Sequence, residues 1–378
     1  MQKEIIVFTE GDSSDSSVWS NIPYFLTKTL EKQGFKIHRI NVEGPSSFIF
    51  LYNKIFRRVL KLFYNRNTTY SYNRSKLFSI YVNYKMKMAL KKYPDFYCTI
   101  STSYSFAPSQ YTTRPTVLIC DWTYDFYFKH FLKRKPDYWE AKEIARQNDI
   151  LEQASLIIPL SPDIAINMQS YYKNPNITYL GSVINCDSIN MKKEKLYEKY
   201  TSHRIVFIGI KKYIEGALCL IQAINSLNRR YANIQLDIIG MNHEDFDFLP
   251  SNVKCHGYLN KSNPEHLSTY SSLLQNATIY VNTTPEWAAP SATLEALYNY
   301  LPIITTPYSS IVEVLGETIT FGSYCSDNSP DTISSYIQSI FDLSFDDYSS
   351  LCTEAHQSVQ NYTWDNYIKK IMMEISQL

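Results

Sequence analysis

Glycine is scarce in this chain, with ten in 378 residues, against a usual share of roughly 7%. The ten stand at positions 11, 34, 44, 181, 209, 216, 240, 257, 316 and 322. No two are spaced for G-x-G-x-x-G or G-x-x-x-x-G-K-[ST], which excludes dinucleotide fingerprints, P-loops and kinase-type glycine loops. The seven cysteines are odd in number and never form C-x-x-C. Several lie inside apolar runs such as TVLIC and VKC, where a thiol acts as a small hydrophobe. This argues against a disulfide framework or a zinc site and fits a reducing compartment. No apolar run approaches the ~20 residues that span a bilayer, and no leader pattern precedes IIVFTEG. The expected location is therefore the cytoplasm. Acidic residues are missing from Gly44 to Pro94, where Lys and Arg occur eleven times.

The residues that are present describe a folded protein. Hydrophobic residues make up 44% and charged residues 19%, with 19 Phe and 32 Tyr, too apolar and aromatic for disorder. The length suits two domains. The net charge of +1 conceals an asymmetry: residues 1–185 hold 24 Lys+Arg and 15 Asp+Glu, a net of +9, and the remainder has a net of −8. A basic half suits a membrane, a nucleic acid or a phosphorylated substrate.

The chain opens as strand (Ile5 to Phe8), polar loop, helix (about 20–33) and second strand (Phe35 to Val42), the unit of a parallel sheet. Further strands are expected at 96–102, 116–121, 155–160 and 176–180, with helices near 48–64, 73–92, 137–153 and 162–172. After a charged linker around 185–200 the alternation restarts. Strands are expected at 204–208, 234–239, 253–257, 278–282, 302–306 and 318–321. Helices are expected at 216–230, 264–275 and 292–300, and from about 329, 345 and 364. This alternation implies two doubly wound domains, with ligands outside the carboxyl ends of the strands, in the cleft between them. Residues 1–187, joined by a C-terminal helix at 364–378, form the first domain and residues 188–363 the second.

The segment ATIYVNTTPEWAAPSATLEALYNYLPIITT (277–306) carries the most specific pattern. A strand runs into a loop with Glu286 and Trp287, then into a helix that Pro290 and Ser291 can start. Free amides of Ser291, Ala292 and Thr293 and the positive dipole end suit a diphosphate, and Glu295 one turn in can accept from ribose hydroxyls. The plainer alternative has Ser291 cap the helix and Glu295 complement its dipole.

This segment resembles the donor-binding region of the family 4 glycosyltransferases, which have two facing Rossmann-like domains with parallel sheets (the GT-B fold). Glu295-Ala296-Leu297 matches the family's second glutamate with its neighbours, and Leu301-Pro302-Ile303-Ile304 matches the next strand. The family's first glutamate falls on Trp287, with Glu286 one residue earlier, so the resemblance carries Glu286 to the donor sugar by a one-residue shift. RIVFIG, followed by Gly216, Leu220, Ile221 and Ala223, resembles the opening of the donor domain. Ile210 and Glu215 occupy the places of the family's diphosphate-binding Arg and Lys, and Lys211 and Lys212 between them are the substitutes. IQLDIIG and VKCHGYL resemble the two strands whose ends hold the nucleobase, near Gly240 and near Gly257 and Tyr258. YTWDNYIKKI resembles the family's closing helix.

SSVWSNIPYFLTKTL resembles the W-S-G-T-P helix start of the acceptor domain, with Asn21 and Ile22 where Gly-Thr is common. Its preceding loop holds Gly11. Asp121, at the end of TVLICD, takes the place of the polar residue that many relatives set beside the transferred sugar; capping of the following segment is its alternative role. The resemblance thus implies retaining transfer from a nucleotide diphosphate sugar, UDP among the donors considered, to a glycan or lipid-linked acceptor in surface polysaccharide or glycolipid assembly. Asp121, Lys212 and Glu286 would serve catalysis. Gly11, Gly209, Lys211, Gly240, Gly257 and Tyr258 would join the Ser291–Glu295 helix start at the donor. The open alternatives are an inactive nucleotide-sugar-binding subunit and an epimerase or phosphorylase of the same fold.

No cofactor and no metal are expected, since the D-x-D letters of Asp245-Phe-Asp247 fall in a surface loop. Lys54, Arg57, Arg58 and Lys61 recur at i, i+3, i+4 and i+7 on one helix face. They are expected to meet an anionic membrane surface peripherally or to form a solvated face. Nucleic acid is not an expected partner.

Overall fold

The computed structural model describes residues 2–185, 191–231, 233–283 and 290–378. The chain forms two compact units, one of Met1–Gly181 with Trp364–Leu378 and one of Ser182–Thr363. The expected two-domain α/β architecture is present, each unit built on its own parallel sheet.

In the first unit the strands β1 (Glu4–Thr9), β2 (Lys36–Asn41), β3 (Cys98–Ser101), β4 (Thr116–Cys120) and β5 (Leu156–Pro159) lie in the order β2-β1-β3-β4-β5. Ile5, Ile6, Val7 and Phe8 are all fully buried. A continuous apolar run of this kind marks a parallel strand covered on both faces. The closing helix Trp364–Ile375 joins this unit through a stacked Phe25–Trp364 ring pair, and Lys32 meets Asp365 at 2.7 Å.

In the second unit β6 (Arg204–Ile208), β7 (Gln235–Ile239), β8 (Val253–Cys255), β9 (Ile279–Asn282), β10 (Ile303–Thr305) and β11 (Gly322–Tyr324) lie in the order β11-β10-β9-β6-β7-β8. The order reverses between β6 and β9. In open α/β sheets that reversal is where ligands bind. The helices Ile214–Leu227 and Pro330–Phe341 bury Leu220, Ile224, Ile333 and Ile337 against one side of the sheet.

Two expected strands are corrected. Residues 176–180 make a single bridge, Ile157 to Ile177, because Asn174 ahead of them turns its side-chain amide onto the carbonyls of Leu151 and Ala154. The last strand is Gly322–Tyr324 instead of 318–321. Its first residue pairs with Ile303 so closely that a Cβ on Gly322 would lie 2.1 Å from the Ile303 carbonyl oxygen. Helices at Tyr124–Phe126, continuing as a π-helical turn Tyr127–Leu132, and at Ser309–Leu315 were not anticipated.

At the carboxyl ends of β6, β7 and β8 three glycines are stitched together. Gly209 N donates to Ile239 O at 2.9 Å, Gly240 N to Gly257 O at 2.8 Å, and Gly257 N to Met241 O at 2.9 Å. Gly240 has φ +101° and a Cβ there would sit 2.6 Å from the Gly209 carbonyl oxygen. Gly34 has a similar φ, +90°, with open space around it. Gly34→Ala should therefore cost only the ~1–2 kcal/mol of a left-handed backbone. Gly240→Ala should cost clearly more, because the strand ends must also part. Urea unfolding of both variants measures the difference, and equal losses would contradict it.

Candidate functional site

The second unit gathers its polar groups where the strand order reverses. β6 ends at Ile208 and leads through Gly209 and Ile210 into a single turn, Lys211–Tyr213, and the helix Ile214–Leu227. β9 ends at Asn282, whose side-chain amide donates to Ile208 O at 3.0 Å and so ties the two strand ends together. The helix Ser291–Tyr298 comes next at this edge. Pro290 is its N-cap and supplies no side-chain cap, so Ser291 stands inside the first turn and does not cap it. The first-turn amides of Ser291, Ala292 and Thr293 stand at the positive end of a dipole and have no side-chain cap from Pro290. Thr293 is buried close to the phenols of Tyr280 and Tyr308. Both phenols are pushed up by burial, Tyr280 to about 12.

Glu295 is buried beneath this helix start. Its Oε2 accepts from Lys261 Nζ at 2.5 Å and from the Tyr270 hydroxyl at 2.5 Å. Lys261 also lies over the Tyr270 ring, 4.2 Å from its centre. A carboxyl group fixed through one oxygen by a cation and a phenol keeps its orientation. No hydrogen bond to Oε1 is seen among the described residues. Lys261 and Tyr270 were not identified from sequence. Lys261 lies beyond β8 and Tyr270 on the helix Pro264–Asn276, 34 and 25 residues from Glu295, and no spacing rule joins them.

Of the expected phosphate-binding lysines, Lys211 pairs with Asp245 at 2.9 Å. That bond lowers the Asp245 carboxyl below the usual range. Asp245 also accepts from the Asn242 backbone N–H at 2.9 Å. The first aspartate of the D-x-D letters is therefore engaged, and no group of three His, Cys, Asp or Glu suited to a metal ion exists among the described residues. Lys212 is exposed, its ammonium 5.6 Å from the centre of the Tyr213 ring. Tyr258 projects into solvent beyond β8 at 73% exposure. Glu286 and Trp287 lie outside the described residues.

In the first unit the order reverses between β1 and β3. Glu10 and Gly11 come directly after β1 there. Glu10 accepts from Asn73 Nδ2 at 3.0 Å, and its enclosed carboxyl is pushed up to about 7 by desolvation. Asp121 comes directly after β4 and is raised to about 6, again by desolvation, while Trp19 Nε1 donates to it at 3.3 Å. The helix after Asp121 is capped by Thr123, which accepts from Phe126 N, so Asp121 is not the cap.

Trp19, Ser20 and Asn21 have φ of +40°, +54° and +69°, three left-handed residues in succession. Such strain persists only where the surroundings impose it, and Asn21 is the position where the resembled motif carries glycine. Gly11, at φ +100°, leaves room for Val18, whose methyl would lie 2.8 Å from a Cβ. Of the nearby aromatics, Phe126 belongs to the core, and the Arg74 guanidinium lies 4.5 Å over Tyr124 and 5.5 Å over Tyr127.

Comparison with known proteins bears on the fold. Residues 202–342 match the family model of the group 1 glycosyl transferases. No functionally curated protein sequence matches. Among solved structures, sucrose-phosphate synthase from Thermosynechococcus elongatus is 14% identical with a TM-score of 0.63, covering 100% of this chain and 99% of its own. Anabaena Alr3699/HepE, solved with UDP, is 13% identical with a TM-score of 0.63 and full coverage of both chains. TarM is 12% identical with a TM-score of 0.56, and the match spans 78% of this chain and 58% of TarM. Residues 202–342 of the second unit are thus similar to a group 1 glycosyl transferase domain, and the fold is the GT-B fold.

The raised carboxyl of Glu10 carries a pH signature. Its pKa is higher folded than unfolded, so the protonated form favours the native state. That contribution is full below pH ~4.5 and is lost as pH rises through about 7. Glu10→Gln, neutral at every pH, should gain stability relative to the parent across this window, by up to ~3 kcal/mol. Urea midpoints between pH 4 and 8 measure it, and a constant difference would refute the assignment.

Proposed function

We propose that this protein is a retaining glycosyltransferase that takes a sugar, hexosyl or closely related, from a nucleotide diphosphate sugar and passes it to a glycan or lipid-linked saccharide. Surface polysaccharide or glycolipid assembly is the setting we favour. The observation that carries the reading is Glu295, buried one turn below an uncapped helix N-terminus and locked by Lys261 and Tyr270 at the strand-order reversal of the matched domain. Oε1 would accept from the ribose hydroxyls. The first-turn amides, with Lys211 and Lys212, would take charge as the diphosphate leaves. Gly209, Gly240 and Gly257 would let backbone approach the nucleotide, with Tyr258 beside the base and Glu286 toward the sugar.

The first unit would bind the acceptor. Asp121 would supply a polar group near the anomeric carbon, where an oxocarbenium-like state develops. Its desolvation and the Trp19 bond give it a fixed orientation. The chemistry needs no metal, because helix N-termini and lysines carry the leaving-group charge. Dialysis against a chelator should leave activity unchanged, and abolition would overturn metal independence.

UDP is the first ligand to test, because Alr3699/HepE was solved with UDP and with UDP-glucose. At 100 times its dissociation constant a native-state ligand adds about 2.7 kcal/mol of stability, readily seen as a thermal shift. Glu295→Gln should weaken UDP by roughly tenfold or more, since it replaces a charged acceptor. An unchanged dissociation constant would refute the ribose role. Binding of nucleotide sugars without any hydrolysis or transfer would instead favour an inactive binding subunit, a reading supported by Ile210 and Glu215 standing where cations are common.

A further inference from the structure

Two helices of the first unit leave apolar stripes in water. On Ser46–Phe63, the side chains of Phe48, Leu51, Ile55, Val59 and Leu62 recur at steps of three and four residues, which places them on one face. All five are exposed, Ile55 at 57% and Leu62 at 68%, and Phe63 beside them reaches 85%. The side of this helix that carries Ile49 and Tyr52 packs on the core cluster of Tyr72, Phe78 and Val82. On Lys76–Lys92, Leu77, Ile80, Tyr84 and Met88 repeat the same spacing and are likewise exposed, Tyr84 at 62%. The opposite face, with Phe78, Val82, Met86 and Ala89, is buried in that same cluster. An exposed helix face is ordinarily polar, so two apolar stripes on one core point to a surface that something covers.

The charges beside the stripes identify the occupant. Lys54, Arg57, Arg58 and Lys61 run along the edge of the first stripe and Lys76, Lys87 and Lys91 along the second, by helical periodicity. No acidic residue lies between Gly44 and Pro94. Among the described residues none of the seven cations forms an ion pair with a carboxylate. A second copy of this chain placed face to face would set cation against cation. A nucleic acid would leave the apolar stripes in water.

We propose that these two helices form one docking surface for an anionic lipid bilayer. Their apolar stripes enter the boundary between headgroups and acyl chains, and their cations meet lipid phosphates. The surface uses none of the donor-site residues, so it stands or falls apart from the proposed transfer reaction.

Cosedimentation of the full chain with phosphatidylcholine vesicles, with and without phosphatidylglycerol, tests it. Binding should require phosphatidylglycerol and weaken as salt rises. Arg57→Glu with Arg58→Glu should reduce it at least about tenfold. The triple change Leu51→Ser, Ile55→Ser and Leu62→Ser, and separately Ile80→Ser with Tyr84→Ser, should reduce it by a similar factor. The two serine variants should keep the parent's melting temperature, since their altered side chains are exposed, and the melting temperature of the half-buried Arg57 variant is measured beside its binding. Absence of binding to phosphatidylglycerol vesicles, or equal binding by parent and variants, would overturn the proposal. So would a dimer, seen by light scattering, that the stripe variants convert to monomer.

Discussion

The candidate donor site rests on the close approach of backbone to backbone at the ends of β6, β7 and β8. A side chain at Gly240 would force the strand ends apart, because its Cβ would overlap the carbonyl of Gly209, and one at Gly209 would meet the Phe207 ring. With glycine at both, the three ends are joined by peptide hydrogen bonds, and the turn after β6 emerges at a fixed height above the sheet. The side-chain amide of Asn282 extends the same restraint across the reversal from β9 to β6. Everything placed on these ends inherits that rigidity. The polar groups are then held before any ligand arrives, which is the condition for charge stabilisation without reorganisation.

Glu295 shows how the fold supplies partners to a carboxyl group that burial removes from water. An unpaired carboxylate under a helix would protonate or pull the structure apart. Lys261 and Tyr270 come from two other segments to satisfy one oxygen. Two carboxyls of the first unit are less fully partnered. Glu10 has one amide partner and Asp121 one indole N–H, each too little to offset desolvation, so both carboxyls rise. These two carboxyls of the first unit change protonation near neutrality.

The sequence was legible where one local rule decides. Apolar runs such as Ile5 to Phe8 marked buried parallel strands, and the restart of the alternation after residue 200 marked a second sheet. Glu295 was legible because a helix start and a carboxylate one turn later lie in a single segment. The features that escaped were non-local. Lys261 and Tyr270 reach Glu295 through the sheet's strand order, and the false strand at 176–180 was an apolar run turned aside by the Asn174 amide. The π-helical turn at Tyr127–Leu132 and the three left-handed residues at 19–21 arise from tertiary packing that no propensity encodes. The basic face at Lys54–Lys61 was visible as a spacing. The exposure of the apolar stripes beside it required knowing which faces the core had already taken.

The departures from the resembled motif bear on how a diphosphate would be held. Ile210 and Glu215 remove two cations from the β6 turn, and Lys211 shares its charge with Asp245. A diphosphate bound there would meet fewer full positive charges, and neutral donors on the helix Ser291–Tyr298 would carry more of the burden. Such donors favour anions through geometry: amides converge on one point, and their dipoles stay aligned because the helix beneath is packed over Leu294, Ala296 and Leu297, all buried. A lysine can track a phosphate as it moves, whereas a helix end cannot. A site that depends on the helix end must hold its geometry closely, and the glycine stitching of β6, β7 and β8 together with the Lys261–Glu295–Tyr270 clamp supplies that precision from two sides of the same reversal.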